Sequence, residues 1–322
     1  MAKNKEYEFI IQDSKTQKIY DLSEIVVDDI NWDSEVQNGA SKLTFSYKGG
    51  YMFPNGSVVR FKYMGANIFY GFVFKISNEH GLKEVTAYDS LRYFKYKDTK
   101  VLKGHSTDKL VREIIAERPN MRVGNIRTTK YTLPNKIEDN KTYLDMIYDS
   151  IADTLLATGR KYILYDKFGF IELVEAGELK LPIVLGDKSY ALGYSYEISI
   201  DGETYNKIKL AKDNKETGTR ESYIVQDSKS MAQWGTLQFY DKVDENLNPA
   251  QIKEKAEKLL KYYNQEEKTF SIPALGDTRV RGGSGIYIDI SELKLKQWAM
   301  VKKVSHKFNK GHYHTMDLEL II

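Results

Sequence analysis

Two stretches of the chain, one beginning at Gly56 and the other at Gly283, are written to one pattern. "GSVVRFKYMGANIFYGFVFKIS" and "GSGIYIDISELKLKQWAMVKKVS" both open Gly-Ser, run into an alternating strand, turn, and resume in a second strand. That second strand ends on Val73, Ile76 and Ser77 in the first stretch and on Val301, Val304 and Ser305 in the other, with one extra residue in the later turn. Ser77 is followed by "NEHGLKEVTAYD" and Ser305 by "HKFNKGHYHTMDLEL", each a Gly-containing turn leading into another alternating strand. Alternation of period two puts every second side chain on one face, the pattern of a half-buried strand. The order strand, turn, strand, turn, strand, met twice, points to an internal duplication. So many antiparallel strands need their edges covered, and closure into a barrel is the usual solution. The expectation is two copies of one β-barrel, which lets a symmetric trimer present six near-equivalent units around an axis.

Between the copies the period changes. "STDKLVREIIAERP" offers Ser106 or Thr107 as a cap, an apolar stripe of Leu110, Val111, Ile114 and Ile115, and Pro119 as a stop, which predicts a short helix. Leu144, Ile147, Ile151 and Leu155 recur at spacings of three and four and predict a second helix ending at Gly159, followed by a hairpin that turns over 167–169. Strands return near Ile183, and "NPAQIKEKAEKLLKYYNQ" is a further helix with Asn248 as cap and Pro249 in its first turn. The reading is a mainly β chain with an α+β insertion. A first barrel covers 1–100, an α+β module 101–182, and a second barrel 183–322 with an inserted helix over 249–264.

Composition narrows the function classes. The 322 residues suffice for two or three domains, and 24 Tyr favour half-buried strands whose hydroxyls stay wet. A net charge of +3 argues against a dedicated duplex-DNA binder. The absence of cysteine excludes disulfides, thiolate metal sites and Cys nucleophiles. No stretch approaches the ~20 apolar residues of a membrane helix, and the N-terminus has no signal-peptide core, so a chain first retained in the cytoplasm is expected.

Candidate chemistry is sparse. There is neither a Walker loop nor a dinucleotide fingerprint. The Gly-rich "RVRGGSGI" carries Arg279 and Arg281, which together with backbone amides can hold a phosphate, but a strand rather than a helix follows, so the ordinary reading is a mobile hairpin loop. Carboxylates in "VVDDINWDSE" and "YDKVDENL" can serve a glycosidase if two are suitably spaced, yet isolated acids on strands are also what solubility requires. His306, His312 and His314 fall by parity on the core side of the last hairpin, His306 with Met300, Val304 and Phe308. Three imidazoles on one side can bind zinc or iron. Without a recognisable outer shell of partners, rings stacking and hydrogen-bonding at a barrel mouth is the simpler reading.

Four stretches together are specific: "VTAYDSLRYFKYKDT" at 85–99, "YTLPNKIEDNKTYLDMIYDSIADTLLATGRKYILYDKFGFIEL" at 131–173, "LGDTRVRGGSGIYIDI" at 275–290 and the closing "VSHKFNKGHYHTMDLEL". In this order the chain resembles the baseplate hub proteins of contractile phage tails, as in PBSX-type prophages and phage-tail-like bacteriocins, relatives of the late control D proteins. "RVRGGSG" departs from the pattern in lacking a second acidic turn that some hubs show there. The resemblance implies a structural protein rather than an enzyme, with no catalytic, cofactor-binding or metal residues. It implies a homotrimer with two tail-tube-like barrels per subunit, a pseudo-sixfold ring that nucleates the tail tube. Its partners would be the central spike, the tail tube, the tape-measure protein and other baseplate proteins, with DNA only as passing cargo and no stable membrane insertion. It would assemble in the bacterial cytoplasm and end in the virion or bacteriocin particle. The competing class is a cell-wall or metal-dependent hydrolase at the tail tip.

Overall fold

Alternation of buried and half-buried residues, as along Tyr7–Gln12 and Ile30–Glu35, builds most of the molecule from strands. The computed structural model describes residues 6–322 except 28–29, 38, 119–120, 188–192, 215–217, 246 and 312–313. Twelve strands carry the duplicated pattern. The first copy comprises β1 (Tyr7–Gln12), β2 (Ile30–Glu35), β3 (Lys42–Lys48), β4 (Val58–Tyr63), β5 (Ala66–Glu79) and β6 (Leu82–Tyr88). The second comprises β7 (Lys180–Gly186), β8 (Ser195–Ser199), β9 (Glu267–Leu275), β10 (Gly285–Ile290), β11 (Leu295–Phe308) and β12 (Thr315–Ile321). Hydrogen-bonded neighbours run β1-β4-β5-β6-β3-β2 in the first copy and β7-β10-β11-β12-β9-β8 in the second, the same order with every number raised by six. The one difference is direction: β1 lies antiparallel to β4, whereas β7 lies parallel to β10.

The likeness extends to single hydrogen bonds. Gly56 and Gly283, with φ of 83° and 90°, occupy a left-handed conformation that favours glycine, and their N–H groups donate to Val73 and Val301 at 2.7 and 2.8 Å. In return Val73 and Val301 donate to the carbonyls of Ser57 and Ser284, both buried serines, at 2.9 and 2.8 Å. The long strands β5 and β11 each carry an irregularity at the same place, between Val73 and Lys75 and between Val301 and Lys303. A bulge inserts one residue and so changes the face to which later residues point. This corrects the parity expected for β11: Ala299 and Val301 are buried before the bulge, and Val304, His306 and Phe308 after it, while Met300 is only partly buried.

The two copies share one sheet of thirteen strands, the thirteenth being Ile19–Asp21 beside β1, because β2 of the first pairs with β11 of the second. Phe308 at the end of β11 is buried in the first copy's core, 5.1 Å from the rings of both Phe61 and Tyr63. Two closed barrels are therefore not what forms: among the described residues the pairing is an open path. Strand edges that a closed barrel would use up are spent instead on joining the copies or left at the rim.

The segment between the copies has its own core, in which Leu110, Ile114, Leu144 and Ile147 of the helices Thr107–Ala116 and Tyr143–Thr158 meet Leu164, Ile171 and Leu173 of a hairpin. The second helix begins at a capping box of Thr142 and Asp145. Pro119, expected to end the first, lies outside the described residues. A further unit differs from expectation. Strands Lys207–Asn214, Thr219–Gln226 and Gln238–Lys242 form a separate sheet and pack Ile208 and Leu210 on Ile252, Ala256 and Leu259 of the helix Pro249–Tyr263. The expected second barrel over 183–322 includes these strands. They stand between β8 and β9 as an insertion with a core of its own, since three strands and a helix suffice to bury one apolar face.

Candidate functional site

The joint between β2 and β11 gathers most of the residues singled out in the sequence. The strands are antiparallel, with Lys303 opposite Glu35, Val304 opposite Ser34, Ser305 opposite Asp33, His306 opposite Trp32 and Lys307 opposite Asn31. The Ser305 hydroxyl donates to the Asp33 carboxylate, which also takes Lys42 at 2.8 Å. His306 stacks on Trp32 at 4.8 Å with 17° between the planes. Beyond it His314 of the last turn stacks on Phe308 at 4.2 Å, so four rings fill the seam.

Hydrogen bonding fixes the tautomers of the two imidazoles. His306 Nε2 lies 2.9 Å from the Val280 carbonyl oxygen and must donate to it, so Nδ1 is the acceptor. His314 Nε2 is 2.8 Å from that Nδ1 and supplies the proton. Both rings are buried, and burial holds His306 at about 3 and His314 at about 4, with their mutual repulsion and the Arg281 charge adding to the drop in His306. The lone pair a metal ion would take from His306 is already bound to His314. Among the described residues no three His, Asp or Glu side chains stand as a ligand cluster, and His312 lies outside the described residues. The pair works as an uncharged hydrogen-bonded wedge between the copies.

"RVRGGSG" is the second half of the seam. The stretch expected as a mobile hairpin loop is packed: Val280 and Ser284 are buried, and the Gly282 N–H donates to Ser34 Oγ of β2 at 3.1 Å. A Cβ on Gly282 would lie 2.6 Å from the Glu35 carbonyl carbon, so only glycine lets β2 approach. Both guanidinium groups are committed to protein. Arg279 pairs with Asp277 at 2.6 Å, and Arg281 donates to the Asp166 carbonyl oxygen at 3.0 Å while lying 4.8 Å from the centre of the Tyr165 ring. Neither points to a phosphate cradle.

Sequence reasoning missed the acids beneath Arg281. Asp89 accepts from Ser41 and Leu91 N–H, at 2.8 and 3.0 Å, and Asp166 accepts from Ser90 and Gly169 N–H, at 3.2 and 2.5 Å. Burial, and for Asp89 the neighbouring Asp166, push both carboxyls above the usual carboxylate range. Their local signals were an Asp-Ser start before Leu91 and an Asp-x-x-Gly turn at 166–169, which mark caps and turns but not burial. Saturated with backbone donors, they tie the first copy, the middle module and the Arg281 segment together. The other candidate acids are dispersed: Asp241 stands 3.9 Å from Lys255, and Asp28 and Asp29 lie outside the described residues. The joint is built of matched strand edges, stacked rings, the neutral His306–His314 hydrogen bond and the Ser305 contact to Asp33.

The YqbQ-like family matches residues 30–321. The chain belongs to the YqbQ-like family. Within it, YqbQ of Bacillus subtilis (strain 168) is 32% identical over 283 residues, covering 86% of this chain and 84% of that protein. The phage-like element PBSX protein XkdQ of the same strain is 30% identical over 276 residues, covering 84% and 83%. Among solved structures, a tail protein from Neisseria meningitidis MC58 superposes with a TM-score of 0.71 over 98% of this chain and 96% of that one. At 13% identity this shows a shared fold.

Proposed function

We propose that this YqbQ-like chain is a structural component of a phage-type tail, the hub of its baseplate. Three copies form a ring of six near-equivalent sheets, joining the tail tube and tape-measure protein to the central spike and offering a template on which the tube begins. The observation that carries the reading is the duplication itself: two six-strand sheets of identical order, locked side by side in one chain by β2 and β11. A repeated unit joined head to tail is what a ring of doubled symmetry requires. Kinship with a PBSX element protein supports the same reading. Assembly takes place in the bacterial cytoplasm, and the finished hub resides in the particle. DNA, if the particle carries it, passes through without being read.

Electron microscopy of the purified protein tests this. Axial views should average to a ring with six lobes of two alternating kinds, and purified tail tube subunits should polymerise from it. Monomeric particles, or turnover of peptidoglycan abolished by replacing a single carboxylate, would overturn the proposal in favour of a tail-tip hydrolase.

A further inference from the structure

Duplication makes a prediction about the two edges that the internal joint does not use. In the second copy, β11 pairs β10 with its first half, 295–300, and turns to β2 with its second, 303–308. In the first copy, β5 pairs β4 only as far as Phe72. Its second half, Lys75–Glu79, has β6 on one side and, among the described residues, no strand on the other. The strand equivalent to β2 is β8, which among the described residues pairs β9 alone and ends the sheet. Among the described residues the second copy thus carries a strand without an acceptor, and the first an acceptor without a strand.

We infer that β8 of one molecule adds to β5 of the next, repeating between chains the joint that β2 and β11 make within one. This rests on the ring reading and specifies its contact. Equivalences traced through the paired registers set Trp32 against Tyr196, Asp33 against Glu197 and Ser34 against Ile198, and likewise Val304 against Ile76, Ser305 against Ser77 and His306 against Asn78. The intermolecular register is therefore Lys75 opposite Ser199, Ile76 opposite Ile198, Ser77 opposite Glu197, Asn78 opposite Tyr196 and Glu79 opposite Ser195. Ser77 and Glu197 reproduce the Ser305 to Asp33 hydrogen bond in kind. Ile198, half exposed on a lone chain, gains an apolar partner in Ile76.

The differences between the two joints also make sense. His306 on Trp32 is a permanent seal, whereas Asn78 and the exposed Tyr196 leave an edge that remains wettable before assembly. Asn55 stands where Gly282 stands, so the intermolecular seam cannot close as tightly at its Ser199 end, and pairing centres on 195–198.

The pattern of hydrogen bonds selects the test. Val36 N–H donates to Lys302 O, which makes Val304 with Ser34 a hydrogen-bonded pair and Ser305 with Asp33 a non-hydrogen-bonded one. Side chains of the latter kind approach most closely and are the ones a disulfide can bridge. The chain has no cysteine, so Ser77→Cys with Glu197→Cys can be oxidised without side reactions. Non-reducing gels should show covalent species up to the trimer, and each single variant nothing above a dimer. The pair Ser77→Cys with Ile198→Cys, one residue out of register, should cross-link roughly tenfold less, because a one-residue slip turns the side chain to the other face. Ile198→Pro, which removes an N–H directed outward, should lower the trimer fraction without changing the melting of the chain. A trimer by light scattering whose in-register pair links no better than the slipped one would overturn this contact and leave the hub standing. A monomer at every concentration would overturn both.

Discussion

Lowering the pH should loosen the joint, by an amount that follows from its two imidazoles. His306 and His314 are held at about 3 and about 4 in the fold, against 6.5 for an unperturbed ring. A depressed histidine favours the fold fully above pH 6.5, where neither state takes the proton. That stability is lost as pH falls toward 4 and 3, because only the unfolded chain then binds it. At pH 5 each free imidazole gains about 2 kcal/mol by protonation, so the pair removes about 4 kcal/mol between pH 7.5 and 5. Asp89 and Asp166 act in the opposite sense, since their raised carboxyls favour the fold at lower pH. Asp277 and Arg281 also face the pair, the first favouring its protonation and the second opposing it. The assay must isolate the histidines. Urea unfolding at fixed protein concentration, followed by tryptophan fluorescence with Trp32 as a reporter stacked on His306, should be compared at pH 7.5 and 5. In the double variant His306→Gln with His314→Phe, the glutamine keeps a donor for the Val280 carbonyl, and the loss on acidification should shrink by about 4 kcal/mol. Equal losses in variant and parent would refute the neutral wedge.

Three further outcomes are expected. Val304→Asp or Leu318→Asp, both in the second copy's core, should cost several kcal/mol and leave little soluble protein, read by yield and by the far-ultraviolet melt. Gly282→Ala drives a methyl group against the Glu35 backbone and should cost about 1–3 kcal/mol, whereas Gly177→Ala, with open space at its Cβ, should move the melting temperature little. Arg281→Met removes the cation between Asp166 and Tyr165 and should cost about 3 kcal/mol in a thermal melt, because it leaves the buried acids beside it without their counter-charge.

The duplication was legible because it is local at each occurrence. Gly56 and Gly283 are required by backbone conformation, and the alternating residues after them are required by a half-buried face. Helix ends were legible for the same reason, Gly159 being a left-handed stop and Asn248 a cap whose partner lies three residues away. What could not be read was the pairing of Trp32 with His306, since strand partners 274 residues apart leave no mark in either segment. Without that pairing, barrel closure was the natural way to satisfy the edges, and the histidines lacked a reason for their burial. The bulge after Val301 also escaped, because one inserted residue looks like ordinary alternation until the partner strand is known.

In the proposed hub each chain supplies one third of a ring. Light scattering coupled to size exclusion, at physiological salt and neutral pH, measures this most directly. The proposed trimer should give about 112 kDa, three times the 37.2 kDa chain. A mass of one chain that stays constant as concentration rises would contradict it.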